Sequence, residues 1–341
     1  MARFVVDLAA AAMAANQRAV FVVSADIETR EALAATGAEV CFVSVFESGA
    51  GALALWRVPR LRNFLRQVIQ EAGADTVVEL MPHLWSPFLE APIRRAGARR
   101  VALLHDWRAH PGDATALATS WLAASALRAD RVVTLSRHVA GLVTKARPDV
   151  ADKVLVLFHP DFTYSAADAP LGRLRVLFLG RLAAYKGLGV FVDAVEQARA
   201  NGAAFEISVC GAGDIGPLTP RLSALNARVA NHWLSDSEIA EALAWAHIVA
   251  VTHTEASQSG VVAAAFGAGR PVVATPVGAL AEQVAHERTG LVASRAEASA
   301  VAEALLRLAN EPDLLTRLTA GVRASAGERS MQRFLEALQS A

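Results

Sequence analysis

Short apolar runs of strand length alternate with helical patterns from one end of the chain to the other. That alternation commits a chain to an α/β architecture with parallel sheets, because each parallel strand needs a crossover, usually a helix, before the next. In the first half the runs are Ala19–Ser24, Glu39–Val45, Thr76–Leu80, Val101–His105, Arg131–Leu135 and Val154–Phe158. In the second they are Arg175–Leu179, Phe205–Cys210, Ile248–Thr252, Pro271–Ala274 and Gly290–Val292. Helical patterns such as Leu188–Asn201, Asp236–Ala244 and Ala298–Asn310 lie between them. The small, polar stretch Tyr164–Gly172 holds a proline and separates two sets of similar size, so it reads as a linker. A chain of 341 residues is long enough for two domains. The expected division is 1–165 and 173–325, followed by a segment 326–341 in which Met331, Phe334 and Leu338 share one face of a last helix.

The chain start breaks the pattern. Phe4, Val5, Leu8, Ala12 and Met13 recur at helical spacing, and glycine is absent before Gly37. Residues 3–16 therefore read as a helix rather than as a short strand at Arg3–Val6. The opening strand and glycine-rich turn of a doubly wound domain are expected to be missing.

Composition narrows the function. Lysine plus arginine and aspartate plus glutamate both number 33, so the formal charge is zero and the basic footprint of a nucleic-acid binder is absent. Cys41 and Cys210 each sit inside an apolar run and read as buried reduced thiols. No Cys/His spacing matches a zinc site. Leu8–Ala15 is short, follows Asp7 and precedes Asn16 and Gln17, which is not the layout of a signal peptide. No run has the length of a spanning helix. The expectation is a cytoplasmic protein, at the inner face of the membrane if it meets one.

Three segments in the second half carry chemistry. VLFLGRLAAYKG starts at Val176: a strand, a turn at Gly180, then Arg181 and Lys186 before a helix. Two cations at the carboxyl end of a parallel strand suit a diphosphate, Arg as a fork and Lys as a point charge. HTEASQSGVVAAAFGAGRP, from His253 to Pro271, makes a polar turn and enters a small-residue helix at Gly260, whose first N–H groups can hold phosphate. Glu255 in that turn is either a helix-capping acid or a ligand for a sugar hydroxyl. PVVATPVGALAE, from Pro271 to Glu282, is a strand, a Pro/Gly turn and an acid at a helix start.

Taken in order, GRLAAYKG, CGAGD, TEASQSGVV, GAGRPVVATPVGALAE and TGLV resemble glycosyltransferase family 4, of the GT-B fold, in its Gln-Ser-Gly-Val subset of bacterial polysaccharide assembly. The likeness is close over about 175–325 and looser over VVSAD, GADTVVEL, VALLHDWRAHPG and ADRVVTLSRHV. It implies two Rossmann-like domains facing a cleft and retaining transfer of a sugar from a nucleotide-sugar donor to a glycan or lipid-linked acceptor, without a metal or other cofactor. Arg181 and Lys186 would hold the donor diphosphate, with Gly180 in their turn. Gln258 belongs to the donor turn, and Ser259, Gly260 and Val261 would offer backbone N–H groups to the same phosphates. Glu255 would touch the donor sugar, and His105 would face it from the other domain. Gly211 and Gly213 would line the nucleotide, and Asn231–Leu234, with Trp233, the base. One departure stands out: the second acid of the family's paired-glutamate motif is replaced by Ala263 or Ala264, depending on the end from which one counts. That departure keeps a second class open, a nucleotide-sugar-binding scaffold without turnover. Epimerases of the same fold need cleft carboxylates and fit this motif set less well.

The first half adds a basic amphipathic pattern. In Leu55–Ile69, Trp56, Leu61, Phe64, Leu65 and Val68 alternate with Arg57, Arg60, Arg62 and Arg66. Such a helix either lies on anionic lipid or packs its apolar face on the sheet. Arg94, Arg95, Arg99 and Arg100 follow nearby. The loop HDWRAHPG, His105–Gly112, is polar and has no metal-ligand spacing.

Overall fold

In a computed structural model, the residues described are 2–45, 54–108, 116–164 and 170–340. Twelve strands form three parallel sheets among them: β1 (Val20–Ser24), β2 (Glu39–Val43), β3 (Thr76–Glu79), β4 (Arg99–Leu104), β5 (Arg131–Thr134), β6 (Val154–Val156), β7 (Leu174–Leu179), β8 (Phe205–Cys210), β9 (Arg228–Ala230), β10 (Ile248–Val251), β11 (Val272–Ala274) and β12 (Gly290–Val292). Eleven of these are the apolar runs of the sequence. The twelfth, β9, carries no such run because it is a three-residue edge strand with Arg228 and Val229 exposed.

Contacts divide the described chain into two compact units. The first holds residues up to 108, 116–158 and 331–340; the second holds 159–164 and 170–330. The crossing therefore comes at Phe158–His159, ahead of the stretch expected to link the domains, of which 165–169 lie outside the described residues. Phe162 and Tyr164 already pack on the second unit's core.

In the first unit β1 pairs with β2, and β3, β4, β5 and β6 form a second sheet in sequence order. Ala102, Leu104, Val132, Val139 and Val143 build its main core. The opening segment is helical over Ala2–Ala14, in agreement with its spacing. The final helix, Met331–Gln339, buries Met331, Phe334, Leu335 and Leu338. It does so against the first unit: the Phe334 ring meets Phe4 at 5.4 Å and Phe158 at 6.0 Å, both edge to face. The C-terminal segment expected to follow the second domain thus returns to the first, because its apolar face matches Phe4 and Phe158.

In the second unit the strand order is β12-β11-β10-β7-β8-β9. Renumbered within the unit this is 6-5-4-1-2-3, the doubly wound nucleotide-binding order. The central strands are buried on both faces, which is why β10, β11 and β7 from Val176 onward read as unbroken apolar runs rather than alternating ones. Phe178 and Phe191 join sheet to helix with ring centroids 5.5 Å apart. Where the chain enters and leaves this unit, Asp161 and Arg329 pair at 3.0 Å and the Asp161 N–H donates to the Arg329 carbonyl at 2.9 Å. No helix among the described residues is long and apolar enough to cross a membrane.

Replacing Phe334 with Ala removes both ring contacts at a fully buried position, an expected loss of about 3–5 kcal/mol. Urea unfolding followed by circular dichroism reads it as an early transition of the first unit. An unchanged midpoint would show that the last helix is not anchored there.

Candidate donor site

The second unit's sheet reverses direction between β7 and β10, which pair side by side from Ile248 opposite Val176 to Ala250 opposite Phe178. Crossovers leave such neighbours toward opposite faces, so the loops at their carboxyl ends splay and leave a crevice for ligand. The loop after β7 carries Gly180, Arg181 and Lys186; the loop after β10 carries Glu255, Gln258 and Ser259. Two segments far apart in sequence are brought to one sheet edge.

Direct bonds hold the two loops together. Thr252 Oγ1 donates to the Gly187 carbonyl at 2.9 Å, and the Thr254 N–H donates to the Tyr185 carbonyl at 2.8 Å. The approach is possible only at glycine. Gly187 has φ +73°, and a Cβ there would stand 1.8 Å from the Thr252 carbonyl oxygen.

Tyr185 organises the cations. Its hydroxyl accepts from Arg181 Nη2 at 2.6 Å, the Arg181 guanidinium carbon lies 5.7 Å from its ring and Lys186 Nζ 5.1 Å. The ring is buried and faces His253 at 6.4 Å. Both positive groups therefore work from one rigid aromatic support, with cation–π attraction adding to the hydrogen bond. Tyr185 and His253 stand in the loops after β7 and β10 with no charge or spacing that marks them in the sequence.

The helix Gly260–Gly267 starts beside this cluster. A Cβ on Gly180 would come within 3.2 Å of Val261 Cγ2, so the first turn abuts the β7 loop. One expected donor is already engaged: the Ser259 N–H donates to Gln283 Oε1 at 2.7 Å, and Gln283 Nε2 returns a bond to the Ser259 carbonyl at 3.2 Å. Ser259 thus corrects the sequence expectation, because its backbone N–H serves a structural bond. Gly260 and Val261 keep N–H groups that a first helical turn leaves without an internal acceptor. The Ser259 hydroxyl and Gln258 Oε1 are buried with no hydrogen-bond partner among the described residues. Leaving such a group unmade costs about 1–3 kcal/mol.

On the far side of β7, Gly211 donates its N–H to Ala230 at 2.9 Å and lies so close to the Gly180 carbonyl that a Cβ would stand 1.8 Å from that oxygen. Asn231 exchanges two bonds with the Gly213 backbone, 3.1 Å and 3.0 Å. Its amide shapes the Gly213 loop. Trp233 beyond it is 65% exposed, an apolar surface available to a flat ring. This loop is held by a capping box at Ser235 and Glu238 and by His232 on Glu238 at 2.6 Å. Those bonds, the Ser235 N–H first, lower the Glu238 carboxyl to about 2.

Glu255 is exposed at the mouth of the β10 loop. Ala263 and Ala264, where the motif's second acid is absent, are buried at 1% and 5% exposure and present no polar atom. His105 is in the first unit, at the end of β4, with Nε2 2.8 Å from the Leu80 carbonyl. Burial pushes its pKa down against the opposing effects of Leu80 and Asp106, so the imidazole is neutral at pH 7. His110–Gly112 lie outside the described residues.

Residues 173–311 match the family model for glycosyl transferases group 1, less than half of the chain. The amylovoran biosynthesis glycosyltransferase AmsK of Erwinia amylovora is 29% identical over 163 residues, 43% of this chain and 39% of that one. The matched stretch spans about two-fifths of that relative's length. Among solved structures, Anabaena Alr3699/HepE in complex with UDP is 18% identical with a TM-score of 0.74, covering 99% of this chain and 96% of that one. The glycosyltransferase of Rickettsia africae ESF-5 is 14% identical with a TM-score of 0.73, over 99% and 93% of the two chains. The sucrose-phosphate synthase of Thermosynechococcus elongatus is 16% identical with a TM-score of 0.71, over 98% and 90%. The chain has the GT-B fold of two Rossmann-like units.

Gly187→Ala is expected to destabilise the second unit by more than about 1 kcal/mol, because a side chain is forced into a left-handed backbone and onto Thr252. Thermal unfolding checks it: an unshifted Tm would mean the two loops are not clamped at this point.

Proposed function

We propose that this protein is a retaining glycosyltransferase that moves a sugar from a nucleotide-sugar donor to a glycan or lipid-linked acceptor in the cytoplasm. The observation that carries the reading is the convergence, at one switch point, of Arg181 and Lys186 on Tyr185 with the start of helix Gly260–Gly267. Two cations and two helix N–H groups make a site for a diphosphate that leaves with its charge. In the reaction the acceptor oxygen forms a bond to the sugar's anomeric carbon as the bond from that carbon to the diphosphate breaks. The acceptor's proton passes to the departing phosphate. Preorganised positive groups are worth most when negative charge develops on that leaving oxygen. Glu255 would hold a hydroxyl of the donor sugar, neutral His105 would bond another, and Trp233 would face the base. The site needs no metal, since its cations supply the charge stabilisation. UDP-sugars are the first donors to test, because the HepE structure of the same fold holds UDP. A polysaccharide under assembly is the first acceptor, given the name of the AmsK relative.

A second reading, nucleotide-sugar binding without turnover, is favoured by Ala263 and Ala264 at the place of the second acid. A panel of UDP-, GDP- and ADP-sugars separates the two: release of nucleoside diphosphate supports transfer, and saturable binding with no release supports the scaffold.

Arg181→Ala and Lys186→Ala are each expected to lower kcat about 10²–10³-fold, the scale seen when one preorganised stabiliser of a developing oxyanion is lost. Tyr185→Phe keeps the ring and loses the hydroxyl that accepts from Arg181, an effect of about tenfold. Turnover is expected to persist in EDTA, and NMR of the product is expected to show the donor's anomeric configuration; loss with chelator or inversion of configuration would refute those parts.

A further inference from the structure

Helix Gly260–Gly267 is held from a side that the donor loops do not supply. Residues 159–164, where the chain enters the second unit, run along it. The Phe162 N–H donates to the Ala263 carbonyl at 3.2 Å, and a Cβ on Gly260 would stand 3.5 Å from the Phe162 ring. A Cβ on Gly267 would stand 1.7 Å from the Phe162 carbonyl oxygen, although Gly267 is an ordinary helical residue. The entering segment therefore touches the helix at its first residue, its middle and its last. Arg329, where the chain leaves the unit, places its guanidinium carbon 4.5 Å from the Phe266 ring of the same helix.

The entering and leaving segments are also locked to each other. Arg329 Nε donates to both Asp161 carboxylate oxygens, at 3.1 Å and 3.0 Å, and Arg329 Nη1 donates to Ser325 Oγ at 2.7 Å. The Asp161 N–H donates to the Arg329 carbonyl at 2.9 Å. The two side chains of the pair are 10% and 16% exposed. Burial raises the Asp161 carboxyl to about 6 against the pull of Arg329, so at pH 7 the pair is ionised and bears the cost of desolvation. Such a pair adds little net stability, because that cost offsets the attraction; what it supplies is one fixed geometry. The segment fixed here is the one that carries Phe162.

We propose that Asp161, Arg329 and Phe162 are positioning residues of the donor site: the clamp between the entering and leaving segments seats Phe162 on helix Gly260–Gly267 and thereby sets the direction of its first N–H groups. The inference rests on the reading of that helix as a holder of the donor diphosphate. None of the three touches the reacting atoms; each acts through the helix. By linkage the effect runs both ways, so a diphosphate drawn to those N–H groups tightens the entering segment.

Hydrogen exchange read by mass spectrometry needs no ligand and tests the clamp apart from the donor reading. Asp161→Asn keeps an oxygen for Arg329 and removes the charge. It is expected to speed exchange in peptides spanning 258–268 by about tenfold and to leave helix Leu188–Ala200 unchanged. Gly267→Ala would steady a free helix, since alanine is the better helix former. Here it is expected to speed the same exchange, because the new Cβ displaces Phe162. UDP affinity, measured by titration calorimetry, is expected to fall about tenfold in both variants. Ile207→Val lies in the core built by Phe178 and Phe191 rather than the one that holds Phe162, and is expected to change UDP affinity less than about twofold. Faster exchange throughout the second unit, or an equal loss of affinity in Ile207→Val, would reduce the clamp to a source of stability and overturn the proposal. Unchanged or slower exchange in Gly267→Ala would overturn it as well. Faster local exchange in the variants, with no binding of UDP, GDP or ADP by the wild type, would uphold the clamp and fail the donor reading.

Discussion

The parallel pairing of β7 with β10 is the constraint on which the site depends. A doubly wound sheet must reverse its strand order somewhere, and here it does so between these two strands. The reversal leaves their loops as neighbours with no helix between them, and Gly187 lets the backbones touch. Everything proposed to hold a diphosphate hangs from that contact: Arg181, Tyr185 and Lys186 on one side, the turn into helix Gly260–Gly267 on the other.

The polar atoms around these loops divide into those bonded within the fold and those that are not. Gln283 takes both backbone groups of Ser259 and thereby sets the angle at which the helix begins. Asn231 does similar work for the Gly213 loop. The Ser259 hydroxyl and Gln258 Oε1 are buried without a partner among the described residues.

The first unit is organised differently. Its last helix is supplied from beyond the second unit and held by Phe4 and Phe158. Arg100 is buried yet paired with Glu79 and Glu90, which neutralises it.

Much of this was legible in the sequence. Buried parallel strands must be apolar throughout, so eleven of the twelve announce themselves; β9 does not, because an exposed edge strand has no such requirement. The places of Arg181, Lys186 and Glu255 in the loops after β7 and β10 were legible because each follows an unmistakable apolar run. The sequence by itself determined the alternation of elements, the glycines at close approaches and the charges available at strand ends, since these depend on local chemistry. Only the tertiary structure decided that Ser259's N–H belongs to Gln283, that one tyrosine supports both cations, and that the final helix returns to Phe4. Those contacts join residues distant in the chain, and no local pattern records which distant partner a side chain will meet.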